Sequence, residues 1–244
     1  MSVPINSPHG TTNKSPDIDR LTSSSRGPDS IDAQSIGSKF ARLYHIYHSQ
    51  FRYDYRVTDA EKIHLYFVCN SQMTPGKPDL AVHTGKDSRA PVAGVCKFIH
   101  FSRHCKVGLG DPQQVPGAMV WEDLQGQNLT MTKYRWQLSV RVADGGLERR
   151  SFLWKRTQSV GAAGDSPSVL SVRNFKLVDE LTGQVVGVFT SSGLSMRKNG
   201  KLQVATEYGP DFELMALITL LAMYERFRRR FVGDGGGGGG DGGG

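Results

Sequence analysis

Residues 211 to 231, DFELMALITLLAMYERFRRRF, restrict what this chain can fold into more than any other stretch. At about 100° per residue, Phe212, Leu214, Met215, Leu217, Ile218, Leu220, Leu221, Met223 and Tyr224 point almost all the way round a helix. A helix that is apolar on every side has to be enclosed on every side. The run from Phe212 to Tyr224 rises only about 20 Å at 1.5 Å per residue, short of the roughly 30 Å of a bilayer core. The sequence therefore predicts a buried core helix over 211–231. One open sheet face would leave half of that helix wet, so its partner has to wrap around it.

The chain before the helix reads as strands and tight turns. Ile63 to Cys69 is β-branched and aromatic, and Pro75-Gly76-Lys77-Pro78 breaks the chain soon after. Val92 to Phe101 reads as a strand carrying Val95, Phe98 and Phe101, and Ala118 to Leu124 is shorter. Tyr134 to Val142 alternates into the turn Asp144-Gly145-Gly146, and Arg150 to Thr157 returns. Phe175 to Val178 meets the turn Leu181-Thr182-Gly183-Gln184, and Val185 to Phe189 runs back. Met196 to Lys198 and Lys201 to Ala205 flank Asn199-Gly200, a pair suited to a two-residue hairpin turn. Gly108-Leu109-Gly110-Asp111 reads as a turn, and Phe40 to Tyr55 as a short helix or an irregular segment. Strands at short spacing with tight turns give an antiparallel meander rather than βαβ units. Asp211 is read as the N-cap of the helix, with Glu213 in its first turn.

Two ends of the chain lack core material. Residues 1–38 are rich in Ser, Pro, Asp, Thr and Gly, and are expected to be a disordered polar leader. Residues 233–244 are almost pure glycine and are expected to be a flexible tail. One β domain over 39–232 remains. Three cysteines, no basic-then-apolar start near Met1, and Ser2 in place of a myristoylated glycine lead us to expect a cytoplasmic or nuclear protein with reduced thiols.

The Phe152–Arg156 segment FLWKR, the hairpin FKLVDELTGQVVGVF from Phe175 to Phe189, the strand GKLQV from Gly200, and the helix directly after it give an order of elements. That order resembles the tubby C-terminal-like superfamily, which includes LURP-one-related proteins and phospholipid scramblases, and is similar to small fungal tubby-like proteins of undefined role. The resemblance covers roughly Leu65 to Phe231. It implies a closed antiparallel β-barrel of about a dozen strands around a buried hydrophobic C-terminal α-helix. It does not imply one activity. The acidic calcium loop of scramblases has no match here, and the phosphoinositide cluster of tubby proteins cannot be placed residue by residue.

A net charge of +7 favours anionic partners. Arg226, Arg228, Arg229 and Arg230 form the sharpest candidate site, with Lys155 and Arg156, and with Arg197, Lys198 and Lys201 on other loops. Cations at a helix C-terminus are also stabilised by its dipole and would stop the apolar helix at the barrel mouth. The functional expectation is a non-enzymatic binding or adaptor module that docks reversibly to anionic phospholipid (phosphoinositide included) at the inner membrane face, or that meets an acidic protein. Nucleic acid is disfavoured, because no helix-turn-helix, finger or RNP-type motif accompanies the charge. The alternative is an enzyme or metal protein using Cys96, His100 and Cys105. On a single strand, Cys96, His100 and His104 would share a face at about 13 Å intervals, too far apart for one zinc ion. The sequence contains no nucleophile elbow, P-loop or H-E-x-x-H motif, so neither a catalytic residue nor a cofactor is expected.

Overall fold

The computed structural model describes Ile36 and residues 41–49, 53–71, 74–114, 117, 119–141, 145–164, 173–192 and 198–233. The leader up to 35 and the tail from 234 lie outside the described residues. Twelve strands close a barrel in which each strand pairs antiparallel with its sequence neighbours, and the first pairs with the last. The strands are β1 (Ala41–His48), β2 (Tyr55–Thr58), β3 (His64–Asn70), β4 (Leu80–Thr84), β5 (Val92–Phe98) and β6 (Cys105–Leu109), followed by β7 (Val120–Gly126), β8 (Lys133–Arg141), β9 (Leu147–Arg156), β10 (Phe175–Asp179), β11 (Val185–Ser191) and β12 (Lys198–Ala205). Helix α1 (Pro210–Gly233) follows β12. Closure leaves no edge strand to be protected.

Alternation in the sequence becomes inside and outside here. On β8, Tyr134, Trp136, Leu138 and Val140 are buried inward, while Lys133, Gln137, Ser139 and Arg141 face out. An apolar interior and a polar exterior are the inverse of a membrane-spanning barrel. Among the described residues, no helix is long and apolar enough to cross a membrane. The interior is filled by α1, on which Phe212, Met215, Leu217, Ile218, Leu220, Leu221 and Met223 are all buried. At β5 the helix approaches so closely that a Cβ on Gly94 would lie 2.5 Å from the Ile218 Cδ1 and 3.0 Å from the Gly108 carbonyl oxygen, so any larger residue there would push the Ile218 side chain aside.

Polar side chains fix the helix along its length. Near its start, the Tyr44 hydroxyl donates to the Glu213 carboxylate at 2.6 Å, and the Arg42 guanidinium pairs with the same oxygen at 3.2 Å. Midway, the Trp154 indole N–H donates to the Thr219 hydroxyl at 2.9 Å. Twelve residues beyond Glu213, the buried Glu225 accepts from the Tyr55 hydroxyl at 2.6 Å. The buried members of these bonds, the Tyr44 and Tyr55 hydroxyls, the Thr219 hydroxyl, the Trp154 indole and the two glutamates, would be costly to bury unpaired.

Several sequence expectations are corrected. Among its described residues, 40–55 holds no helix but β1 and the start of β2. Leu80–Thr84 and Cys105–Leu109 are strands that the turn-like residues around them conceal. Val92 to His104 is not one strand, because β5 ends at Phe98 and a hairpin leads into β6. Asn199-Gly200 is not a turn but lies inside β12, with Gly200 opposite Ser191. A side chain on Gly200 would strike the Thr190 carbonyl and the Phe189 ring, so this glycine too serves close packing. Pro210 occupies the first helical position, preceded by Gly209, in place of an Asp211 cap. Within the 1–38 leader, Ile36 is buried against Val160, Ala162 and Val188 on the outside of the barrel.

Candidate functional site

The topology sorts loops to two ends. Where α1 begins lie the β2–β3, β4–β5, β6–β7, β8–β9 and β10–β11 connections; where it ends lie the β1–β2, β3–β4, β5–β6, β7–β8 and β9–β10 connections. Among the described residues, the first set carries Asp59, Glu61, Asp87, Asp111 and Glu180, against Lys62, Lys86 and Arg89. The second set and the helix terminus carry Lys77, Arg103, Arg173 and the arginines of α1, against Asp54, Asp79 and Glu225. The barrel is thus acidic at the helix N-terminus and basic at its C-terminus, the same sense as the helix dipole favours.

Three of the four α1 arginines are built into the mouth. Arg226 donates from its Nε to Cys105 Sγ at 3.2 Å, and from its terminal nitrogens to the carbonyls of His104 at 2.9 Å, Ile99 at 3.1 Å and Ser102. Arg228 binds Glu225 through two nitrogens and lies over the Tyr53 ring, 4.1 Å from its centroid. Arg229 bridges Asp79 at 2.7 Å, the Asn70 side chain at 2.8 Å and Glu225 at 3.0 Å. Burial opposes ionisation of Glu225, but bonds from Arg228, Tyr55 and Asn70 outweigh it and hold its carboxyl below the ordinary range. Burial likewise opposes the charge on Arg228, and the Glu225 bond overcomes it to raise the guanidinium further. Arg230 alone of the four is exposed.

Lys155 and Arg156 end β9 at the same basic end, outside the groove described next, and both are half-buried. Lys201 lies on β12; Arg197 is outside the described residues, as is the side chain of Lys198.

At this end a groove of about 880 Å³ opens between the β3–β4 loop, the β5–β6 hairpin and the helix terminus. Lys77, Lys97, Arg103 and Arg230 bring cations to it, and Phe98, Ile99, Phe101 and Met131 bring apolar surface. Phe101 projects fully into solvent and Ile99 is exposed beside it; on the next loop Leu129 is exposed as well. The sequence reading missed this cluster because Phe101 was grouped with Val95 and Phe98 as though the strand continued past Phe98. The usable signal was an apolar-basic tip, Ile99-His100-Phe101-Ser102-Arg103, between two cysteines that both face inward.

The hairpin also settles where Cys96, His100 and Cys105 lie. Cys96 and Cys105 are buried on adjacent strands inside the barrel, while His100 is exposed in the loop above them. Burial pushes the Cys96 thiol up, whereas a hydrogen bond from Cys96 and the nearby Arg226 draw Cys105 down. Among the described residues, no three His, Cys, Asp or Glu side chains converge on a metal position.

Fold and site define a meander barrel threaded by its C-terminal helix, with an open basic mouth. No family model matches the sequence, and no curated protein matches it. Among solved structures, the chain is similar to the X-ray structure of an Arabidopsis thaliana protein at 11% identity and a TM-score of 0.42, over 76% of this chain and 92% of that one.

Proposed function

We propose that this protein is a non-enzymatic, tubby-like binding module that docks reversibly to anionic phospholipid with its basic mouth facing the membrane. The observation that carries the reading is the groove at the end of α1, where Lys77, Lys97, Arg103 and Arg230 surround exposed apolar side chains. At about 1 kcal/mol per basic residue near an anionic surface, these four supply roughly 4 kcal/mol. That is enough for transient docking and too little for permanent anchoring. The reading moves the lipid contact away from Arg226, Arg228 and Arg229, whose hydrogen bonds are spent within the barrel, and keeps Arg230 as the one arginine of the terminus that faces outward. It favours a location at the inner membrane face.

Liposome co-sedimentation tests it, with vesicles of phosphatidylcholine alone and with added phosphatidylserine or phosphoinositide, at low and high salt. Salt-sensitive binding restricted to anionic vesicles is expected. Absence of binding to all of them would end the reading.

A further inference from the structure

The β5–β6 hairpin has a construction that the fold itself does not require. Its tip residue, Phe101, has a relative exposure of 111% and a φ of 53°. A bulky residue in the left-handed region is uncommon and strained, and glycine or asparagine would turn the chain there at lower cost. The side chain adds nothing to the core, since it touches solvent on all sides. Packing within the protein gives no reason for a phenylalanine at such a position.

The hairpin is also stiff. Ile99 N–H donates to the His104 carbonyl at 3.2 Å, Ser102 N–H to the Ile99 carbonyl at 3.3 Å, and His104 N–H to the Ser102 hydroxyl at 3.1 Å. From below, Arg226 gathers the carbonyls of Ile99, Ser102 and His104 with one guanidinium, which also lies over the Phe98 ring at 4.9 Å from its centroid. One rigid planar donor fixed to a buried helix therefore holds three loop carbonyls together.

We infer that Phe101, with Ile99 beside it, is a wedge that enters the boundary between headgroups and acyl chains of an anionic bilayer, and that Arg226 is the brace that presents it. The inference rests on the docking reading above and deepens it. The wedge is convex, so a rigid partner would need a matching socket, whereas the interfacial zone of a bilayer accepts an aromatic ring without one. The cations at its base, Lys97, Arg103 and Arg230, match the charge of that surface. Leu129 on the neighbouring loop adds a second apolar contact at the same end.

Full-length Phe101→Trp tests the wedge. With phosphatidylcholine/phosphatidylserine vesicles its emission shifts to the blue relative to wild type, and lipids brominated on their acyl chains quench it; phosphatidylcholine vesicles do neither. Phe101→Ser keeps its urea midpoint and binds anionic vesicles about tenfold or more weakly, the loss of one buried aromatic side chain. Arg226→Lys weakens vesicle binding severalfold and speeds hydrogen exchange over residues 99–104. In the Phe101→Ser background it weakens binding no further, because both changes act through the same wedge. If wild type binds anionic vesicles but Phe101→Trp shows no shift and Phe101→Ser binds equally well, the wedge is overturned and the docking stands. An equal shift on neutral vesicles overturns the anionic partner. If wild type binds no vesicle, both readings fall, and the exposed tip becomes a contact for a protein partner.

Discussion

The two ends of the barrel solve one problem with different chemistry. Each holds the central helix by a glutamate that accepts a tyrosine hydroxyl at 2.6 Å, Glu213 from Tyr44 and Glu225 from Tyr55. Twelve residues apart on a helix, the two latches are separated by about 18 Å. Around Glu213 the helix itself is closed off by aromatics: Phe212 packs against Phe152, Tyr208 and Trp136 with ring centroids 4.7, 4.8 and 5.7 Å away, and the buried ion pair at that end, Arg150 with Asp179, joins strands to each other and not to the helix. Its cation, Arg42, is 53% exposed and adds little. Around Glu225 the closure is ionic, with Arg228 and Arg229 both mostly buried. An aromatic plug can seal an end completely. An ionic one leaves the mouth basic, and a groove beside it.

The largest effect should come from breaking the ionic end. Glu225→Ala leaves the Arg228 guanidinium without its carboxylate and the Tyr55 hydroxyl without an acceptor, at a cost of about 3–5 kcal/mol. Glu213→Ala orphans the Tyr44 hydroxyl but lets Arg42 turn to water, costing about 1–3 kcal/mol. Urea denaturation of the two variants measures the difference. Equal losses would show that the ends do not differ in the way described. Thr219→Val, between them, removes the acceptor of the Trp154 indole and should cost about 1–2 kcal/mol.

Acid sharpens the comparison. Each end holds a buried carboxyl below its ordinary range: Glu225 at the mouth, and at the other end Asp179. Burial opposes ionisation of Asp179, but Arg150, Tyr208 and the Leu181 N–H overcome it. A depressed native pKa contributes stability that is complete above the unfolded value and lost as pH falls through the folded one. For Glu225 the decline therefore begins near the ordinary value of 4.5 and continues below it. Glu225→Gln should be less stable than wild type at neutral pH and converge on it as pH falls below the ordinary glutamate value and through the folded one. Asp179→Asn should do the same from near 3.8 downward, and the two effects should add, because the groups share no partner. Parallel stability-versus-pH curves for wild type and Glu225→Gln would count against the assignment.

Architecture was legible because hydrophobic pattern specifies it. A helix apolar on all sides demanded a wrapping sheet, and Tyr134 to Val142 declared its face by alternation. The missed elements are those in which pattern and geometry diverge. Leu80–Thr84 has only five residues, all but one of them apolar or histidine, with no alternation to read. Asn199-Gly200 carries the composition of a turn, but Gly200 is small because Phe189 and the Thr190 carbonyl leave no room. The site was less legible for a related reason. A run of arginines shows charge and not where the charge goes, and here three of the four are held: Arg226 by the β5–β6 hairpin, Arg229 by Asp79, Asn70 and Glu225, and Arg228 by Glu225 and the Tyr53 ring. Asp79, Asn70 and the carbonyls of 99–104 become neighbours of α1 only when the barrel closes.

The smallest effect on folding should be the most informative about function. Lys77 and Arg230 are exposed, and Arg103 is half-buried at the groove. Replacing all three by alanine should change stability by no more than about 0.5 kcal/mol each, as surface substitutions do. If the mouth docks on anionic lipid, the same triple variant should lose about 3 kcal/mol of binding, roughly a hundredfold, at about 1 kcal/mol per cation. A matched triple at the acidic end, Asp59→Ala/Glu61→Ala/Glu180→Ala, removes as many charges of the opposite sign. Long-range attraction to the whole molecule would make the second variant bind anionic vesicles more tightly by an amount comparable to the first variant's loss. Docking through one end predicts asymmetry instead: a large loss from the basic triple, and a much smaller gain from the acidic one, screened over the length of a barrel that exceeds the roughly 10 Å Debye length at 0.1 M salt.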